Sequence, residues 1–252
     1  MRSWALTLLL LAAFVGVWQA VASLPGVDKL ILASPGDTVR ALGDDRTLLL
    51  DNAWTTLVEV LLGLAIAIVA GAAAAVGMHL VRPLRDAAYP LLVASQAIPI
   101  VVVAPLLVLA FDYGIGPKIA IVALLCFFPV TVNLLDGLRA TDAELLKLMR
   151  SLGASRWQTL RKVELPACLP YLFSGLRIAA TVSVIGAVFG EAAGAEKGLG
   201  RLVLSDTHNL ETPRAYAGVV ILTAMAAALF ALVTLVERVA VPWNRRQGGR
   251  TA

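Results

Sequence analysis

Residues 57–80 read LVEVLLGLAIAIVAGAAAAVGMHL, with Glu59 near one end, His79 near the other and nothing ionisable between them. In hydrocarbon a chain must satisfy its own backbone hydrogen bonds, and a helix of about 20 apolar residues does so while crossing the bilayer core. The GAAAAV run at 71–76 has helical propensity and lacks the alternating polarity of a barrel strand. Gly63, Ala67, Gly71 and Ala75 recur every four residues, so small side chains line one face along which another helix can approach closely.

Outward from this run, five more of similar length follow, at about Trp4–Leu24, Pro90–Phe111, Ile115–Leu135, Tyr171–Phe189 and Tyr216–Val236, each bounded by charges, prolines or both. The whole chain agrees. Its 252 residues are 59% hydrophobic and 15% charged, whereas soluble domains hold about 25% charged residues, and its mean hydropathy is +0.84. The fold class is therefore an all-α polytopic membrane protein with six transmembrane helices. Residues 1–56 carry the first helix and an outer loop, and 57–252 form a core domain with the other five. In the outer loop Ser34 is placed to cap a short surface helix that opens on Pro35 and Asp37 and runs to about Leu42. Arg2 and the small-x-small run Ala20-Val21-Ala22 also fit a cleavable secretory signal. The apolar region continues past the usual signal core of about 7–15 residues, which favours a retained helix.

A net charge of +4 and a pI near 9.3 suggest nucleic acid only until the basic residues are sorted by side. With the N-terminus inside, thirteen fall in cytoplasmic segments: Arg2, Arg82, Arg85, the six from Arg139 to Lys162, Arg238, Arg245, Arg246 and Arg250. Seven fall outside, including Lys29 and Lys118. The positive-inside rule then places both termini in the cytoplasm of a cytoplasmic (inner) membrane protein, with the bilayer and not nucleic acid as its charged partner. Cys126 and Cys168 lie where no external disulfide is expected.

The longest cytoplasmic loop, Asp136 to Pro170, is patterned. Thr141-Asp142-Ala143-Glu144 has the form of a capping box, and Leu145, Leu148, Met149 and Leu152 then share one helical face. Gly153 stops that helix, and Ser155-Arg156-Trp157-Gln158 repeats the capping-box form to start a second one towards Pro166. A plain connection needs no amphipathic helix. Such a stripe beside a membrane covers headgroups or a protein.

These residues resemble the signature E-A-A-x3-G-x9-I-x-L-P of binding-protein-dependent importer permeases of the ATP-binding-cassette superfamily. Lys147-Leu148-Met149 stand for E-A-A, followed at the same spacing by Gly153, Val163, Leu165 and Pro166. Gln96-Ala97-Ile98-Pro99, Ala104-Pro105-Leu106, Leu169-Pro170-Tyr171 and Gly198-Leu199-Gly200 look like the branch handling sulfonates, taurine, nitrate and vitamin precursors. The resemblance implies a type I permease subunit whose loop couples to a cytoplasmic ATPase through Leu145, Lys147, Leu148, Met149, Leu152, Gly153, Ala154, Leu165 and Pro166. It also implies an extracytoplasmic solute-binding protein and a second permease, identical or related. The variant signature and the Gln96–Pro99 stretch are more similar to members for thiamine-pyrimidine precursors or riboflavin than to the sulfonate, taurine and nitrate members, which are the alternative.

No G-x-x-x-x-G-K-[ST] phosphate loop occurs, so this chain is expected to bind no cofactor, and ATP with its Mg is expected on the partner ATPase. His79 and His208 belong to no metal motif, and no metal or catalytic residue is assigned. An enzyme would need a nucleophile with a base, or paired acids, within the spans. A self-contained secondary transporter would more often show an internal repeat and intramembrane ionisable residues. Polar residues in spans are costly and mark a possible pathway: Ser95, Gln96, Asn133, Thr181 and Ser183, with Glu191 either at an outer gate or as a solvated loop acid. Glu59 and Arg177, near span ends, are expected to snorkel to the interface.

Overall fold

The computed structural model describes residues 2–26, 28, 30–111 and 114–243, without the side chains of residues 2–4. Lys29, Arg245, Arg246 and Arg250, which entered the charge count, lie outside the described residues. The chain is helical: α1 (Arg2–Ala22), α2 (Pro35–Asp44), α3 (Arg46–Leu80), α4 (Arg82–Ser95), α5 (Ile100–Phe111), α6 (Gly116–Arg139), α7 (Ala143–Ser151), α8 (Arg156–Thr159), α9 (Leu165–Gly194), α10 (Leu199–His208) and α11 (Thr212–Ala240). Among the described residues five helices are long and apolar enough to span a membrane, and a sixth span requires the bent pair α4 and α5.

The interior is built on α3, α6 and α9, where Val60, Ala67, Val122, Cys126, Val130, Ala179 and Ala187 are buried together. The predicted small-residue face of α3 is what meets α6. A Cβ on Gly63 would stand 2.5 Å from the Cβ of Val122 and 2.9 Å from the carbonyl of Ile119, and one on Gly71 would stand 3.0 Å from Val130 and Thr131. Across the other face of α6, a Cβ on Gly175 of α9 would meet the Pro129 carbonyl at 2.5 Å. Backbones this close give dispersion contact without a hydrophobic driving force, which is what holds helices together in lipid. By contrast α1 presents Leu8 to Leu11 at about 62–66% exposure. It is tied to the rest through Trp18, which donates to the Ala33 carbonyl at 3.0 Å and stacks on Tyr216 of α11.

Four sequence expectations are corrected. The boundary at 56/57 falls inside α3, which begins at Arg46. The third span is not one helix over Pro90–Phe111: α4 and α5 meet at 100°. The chain tightens there through i to i−3 bonds from Gln96, Ala97 and Ile98, and Pro99, having no N–H, then opens α5. The second loop helix is not separate either. It passes through a π turn at Leu160–Glu164 into α9, giving a continuous helical stretch from Arg156 to Gly194. In that turn Leu165 N–H donates to the Leu160 carbonyl, and the wider turn accommodates Pro166, which has no N–H to give. Finally, the cap of α7 is Asp142, whose carboxylate accepts from Glu144 N–H at 2.8 Å, while the Thr141 hydroxyl is buried without a partner. A carboxylate is the stronger acceptor at a helix start, so the helix begins one residue later than the capping-box reading placed it.

Candidate functional site

The α7–α8 loop is shaped by its own ends. At the far end of α7, Gly153 has φ +73°; its N–H donates to Arg150 and that of Ala154 to Met149, at 2.9 and 3.0 Å. This is the left-handed helix stop that glycine adopts without strain. Two residues on, Ser155 and Gln158 form the predicted reciprocal capping box. Arg156 then donates to the carbonyls of His79 and Leu80 at 3.2 and 3.1 Å, satisfying the open C-terminal end of α3 and tying the loop to the bundle. Beneath it His79 and Glu164 pair at 3.1 Å.

The stripe remains uncovered. Leu145, Leu148 and Leu152 are 41%, 53% and 72% exposed, with Met149 beside them, and α7 buries no residue. Lys147 and Gly153 are likewise exposed and Ala154 half-buried. Leu165 and Pro166 do not join this surface. They sit at the root of α9, where Leu165 packs on the buried cluster of Met78, Leu135 and Leu160.

At the opposite ends of α3 and α9 lies a buried polar centre that the sequence reading did not anticipate. Glu191, placed at a gate or in solvent, is fully buried. It accepts from the Thr56 hydroxyl at 2.6 Å and from Gly200 N–H at 2.5 Å, capping the start of α10. Asn52 and Thr56 accept from the N–H groups of Gly198 and Leu199 at 2.8 and 2.9 Å. The turn must be glycine here, because Gly198 has φ +129° and a Cβ on it would stand 2.2 Å from the Glu191 carboxyl carbon. Glu59 does not snorkel: it is 1% exposed and faces Lys118 at 3.6 Å, and Lys118 is a buried side chain and not an outer-loop charge. The signal was present, since an acid inside an apolar window is costly and calls for a buried partner. Arg177 is partly buried and pairs with Glu237.

The other pathway candidates are not brought together with Glu191. Ser95 and Gln96 are exposed at the α4–α5 bend, with Ser95 donating to the Leu92 carbonyl at 2.7 Å. Asn133, Thr181 and Ser183 each donate to a carbonyl of their own helix, at Pro129, Ile178 and Ala180. Each thereby satisfies one donor within its own helix.

Residues 51–246 match the family described as binding-protein-dependent transport system inner membrane component. The formylaminopyrimidine transport permease protein ThiX of Halalkalibacterium halodurans is 35% identical over 231 residues, covering 92% of each chain. The riboflavin transport system permease protein RibX of Chloroflexus aurantiacus is 36% identical over 242 residues, covering 94% of this chain and 88% of the relative. A chain of the inward-facing MetNI methionine ABC transporter shares the fold, with a TM-score of 0.67 over 77% of this chain and 97% of its own at 19% identity. With six apolar helical segments, a patterned loop and a family match across most of its length, the chain belongs to the multi-pass inner-membrane permease components of binding-protein-dependent ABC importers.

Proposed function

We propose that this permease passes a small nitrogen heterocycle of the vitamin-precursor type, a formylaminopyrimidine or a riboflavin-like solute, into the cytoplasm. ATP and Mg are held and hydrolysed on a separate ATPase that docks on α7, and an extracytoplasmic binding protein delivers the solute. A second copy or a related permease completes the pathway. The names of the two relatives support the solute class. The observation that carries the mechanism is α7 itself: a helix with an apolar stripe that buries nothing in its own chain, stopped by a glycine at φ +73°. A stripe of this kind is the side of a helix that enters a partner's groove. Lys147, Leu148, Met149 and Ala154 lie on or beside the same surface, and Leu165 and Pro166 carry its displacement into α9.

Gly153 gives the test. A Cβ there meets no atom within 4 Å, so a substitution acts through the backbone alone, and a β-branched residue at that φ costs about 1–3 kcal/mol. Gly153→Val should abolish or sharply weaken pull-down of the cognate ATPase by the solubilised permease at unchanged expression, while Gly153→Asn, which tolerates the left-handed region, should retain it. Normal ATPase binding and normal uptake by the valine variant would reduce the loop to a connection. Uptake of labelled formylaminopyrimidine, riboflavin and taurine by cells carrying the complete system separates the solute classes.

A further inference from the structure

Between the end of α3, the start of α4, the end of α6 and the α7–α8 loop lies a cleft of about 450 Å³ into which Arg82, Arg85, Arg139, Arg150 and Arg156 converge. Sidedness alone puts basic residues on one face of a membrane protein. It does not require five guanidinium groups from four helices, with Arg82 and Arg85 both on α4, to share one concavity, where their like charges favour an anion between them. The carboxylates at hand are engaged. Glu164, in the cleft wall, pairs with His79, and Asp86 accepts from Arg85 at 2.8 Å. Arg156 is turned to the α3 carbonyls, and Arg82, Arg139 and Arg150 make no hydrogen bond or ion pair among the described residues.

We infer that this cleft binds a phosphate-bearing anion. Guanidinium groups offer paired donors that match phosphate oxygens. The neighbouring surface points to the interface as a source: Val81 and Leu84, beside Arg82 and Arg85, are 48% and 46% exposed, an alternation suited to acyl chains lying next to a headgroup. A phospholipid headgroup and a soluble phosphate ester share the chemistry. Occupancy has a structural consequence. Arg150 is the one cleft arginine on α7, which buries none of its own residues, so a bound anion would cross-link α7 to α4 and α6 and set where the helix stands. The inference extends the proposed coupling role, but its lipid-binding readout uses the isolated permease and needs neither sidedness nor an ATPase, which enters only as a separate capture arm.

The full-length permease in neutral detergent is titrated with phosphatidylglycerol and, separately, phosphatidylcholine, and bound lipid is counted by native mass spectrometry. Arg82→Gln/Arg139→Gln/Arg150→Gln is compared with Arg161→Gln/Lys162→Gln/Arg238→Gln, which removes the same charge from outside the cleft. The cleft variant should bind phosphatidylglycerol at least about tenfold more weakly, as expected for loss of charge-assisted bonds, and the control should change less than about twofold. If the triple variant does not insert, Arg139→Gln alone should lower affinity by about threefold. Glycerol 3-phosphate that displaces the lipid and is retained by the wild type alone assigns the site to a soluble ester, and failure to displace assigns it to lipid; both keep the phosphate site. Equal loss in the two triple variants, or equal retention of the two lipids with no effect of either variant, overturns it. So does a cleft variant that binds lipid normally but no longer captures the ATPase, since the arginines would then face protein carboxylates.

Discussion

Glu59, Lys118 and Glu191 place two acids and one base in the interior, and only Glu191 has its oxygens satisfied by hydrogen-bond donors. Removing the base leaves two buried acids with no cation, and breaking a buried pair in this way costs about 3–5 kcal/mol. Lys118→Met should therefore lower the thermal stability of the solubilised permease strongly, whereas Lys118→Met/Glu59→Gln should recover most of the loss. A double-mutant cycle read by fluorescence-detected size exclusion during heating measures the coupling. Additive losses would mean that the 3.6 Å approach carries no energy. Glu59 and Glu191 were each visible in the sequence as an acid in or beside an apolar run. Their partners were not, since Lys118 follows 59 residues after Glu59 and Thr56 precedes Glu191 by 135. Periodicity reports which face of a helix is apolar, not which helix comes to lie against it.

Helix contacts divide the glycines into those that must stay bare and those with room. The predicted row on α3 is real, but its members are unequal, with 2.5 Å to the nearest atom at Gly63 and 3.0 Å at Gly71. Gly63→Ala should cost about 1–3 kcal/mol through overpacking against Val122 and lower the yield of folded protein. Gly71→Ala should cost less, and Gly16→Ala on α1, which meets nothing within 4 Å, should be silent. Equal yields for all three would show that α3 and α6 can separate without loss. At this scale the spans, the outer surface helix, the glycine stop and the Ser155 capping box were legible because each rests on local chemistry. The break at Gln96–Pro99 and the merging of α8 into α9 were not. A proline can end a helix, as Pro99 helps to do, or be absorbed, as Pro166 is by a π turn, and neighbouring helices decide which.

Over the whole molecule, basic residues crowd the face that carries the α7–α8 loop. The proposed orientation puts that face and both termini in the cytoplasm. An enzymatic reporter active only outside the cytoplasm should be silent after Ala252 and active when inserted at Gly43, an open position on α2. Activity at the first site and silence at the second would invert the topology and remove α7 from reach of any ATPase. Function class was legible because loop spacing and apolar run length survive without a structure; the solute was not, because isolated polar side chains in the spans, each bonded to a carbonyl of its own helix, form no pattern that names a ligand.

The helical stretch from Arg156 to Gly194 joins the two centres. Its first residue grips the end of α3, and its last turn holds Glu191, which clamps the glycine turn and α10. At 1.5 Å per residue its 39 residues measure about 60 Å. Mechanically this is a crankshaft with a load at each end. A twist delivered at Arg156 would meet no loop before Glu191, and the places where the helical ladder yields are the wide turn at 160–164 and Pro170 inside α9. If α7 is pushed as proposed, the far turn would receive the motion as rotation of a rod, and the stiffness of the wide turn and of the Pro170 turn would set how much arrives.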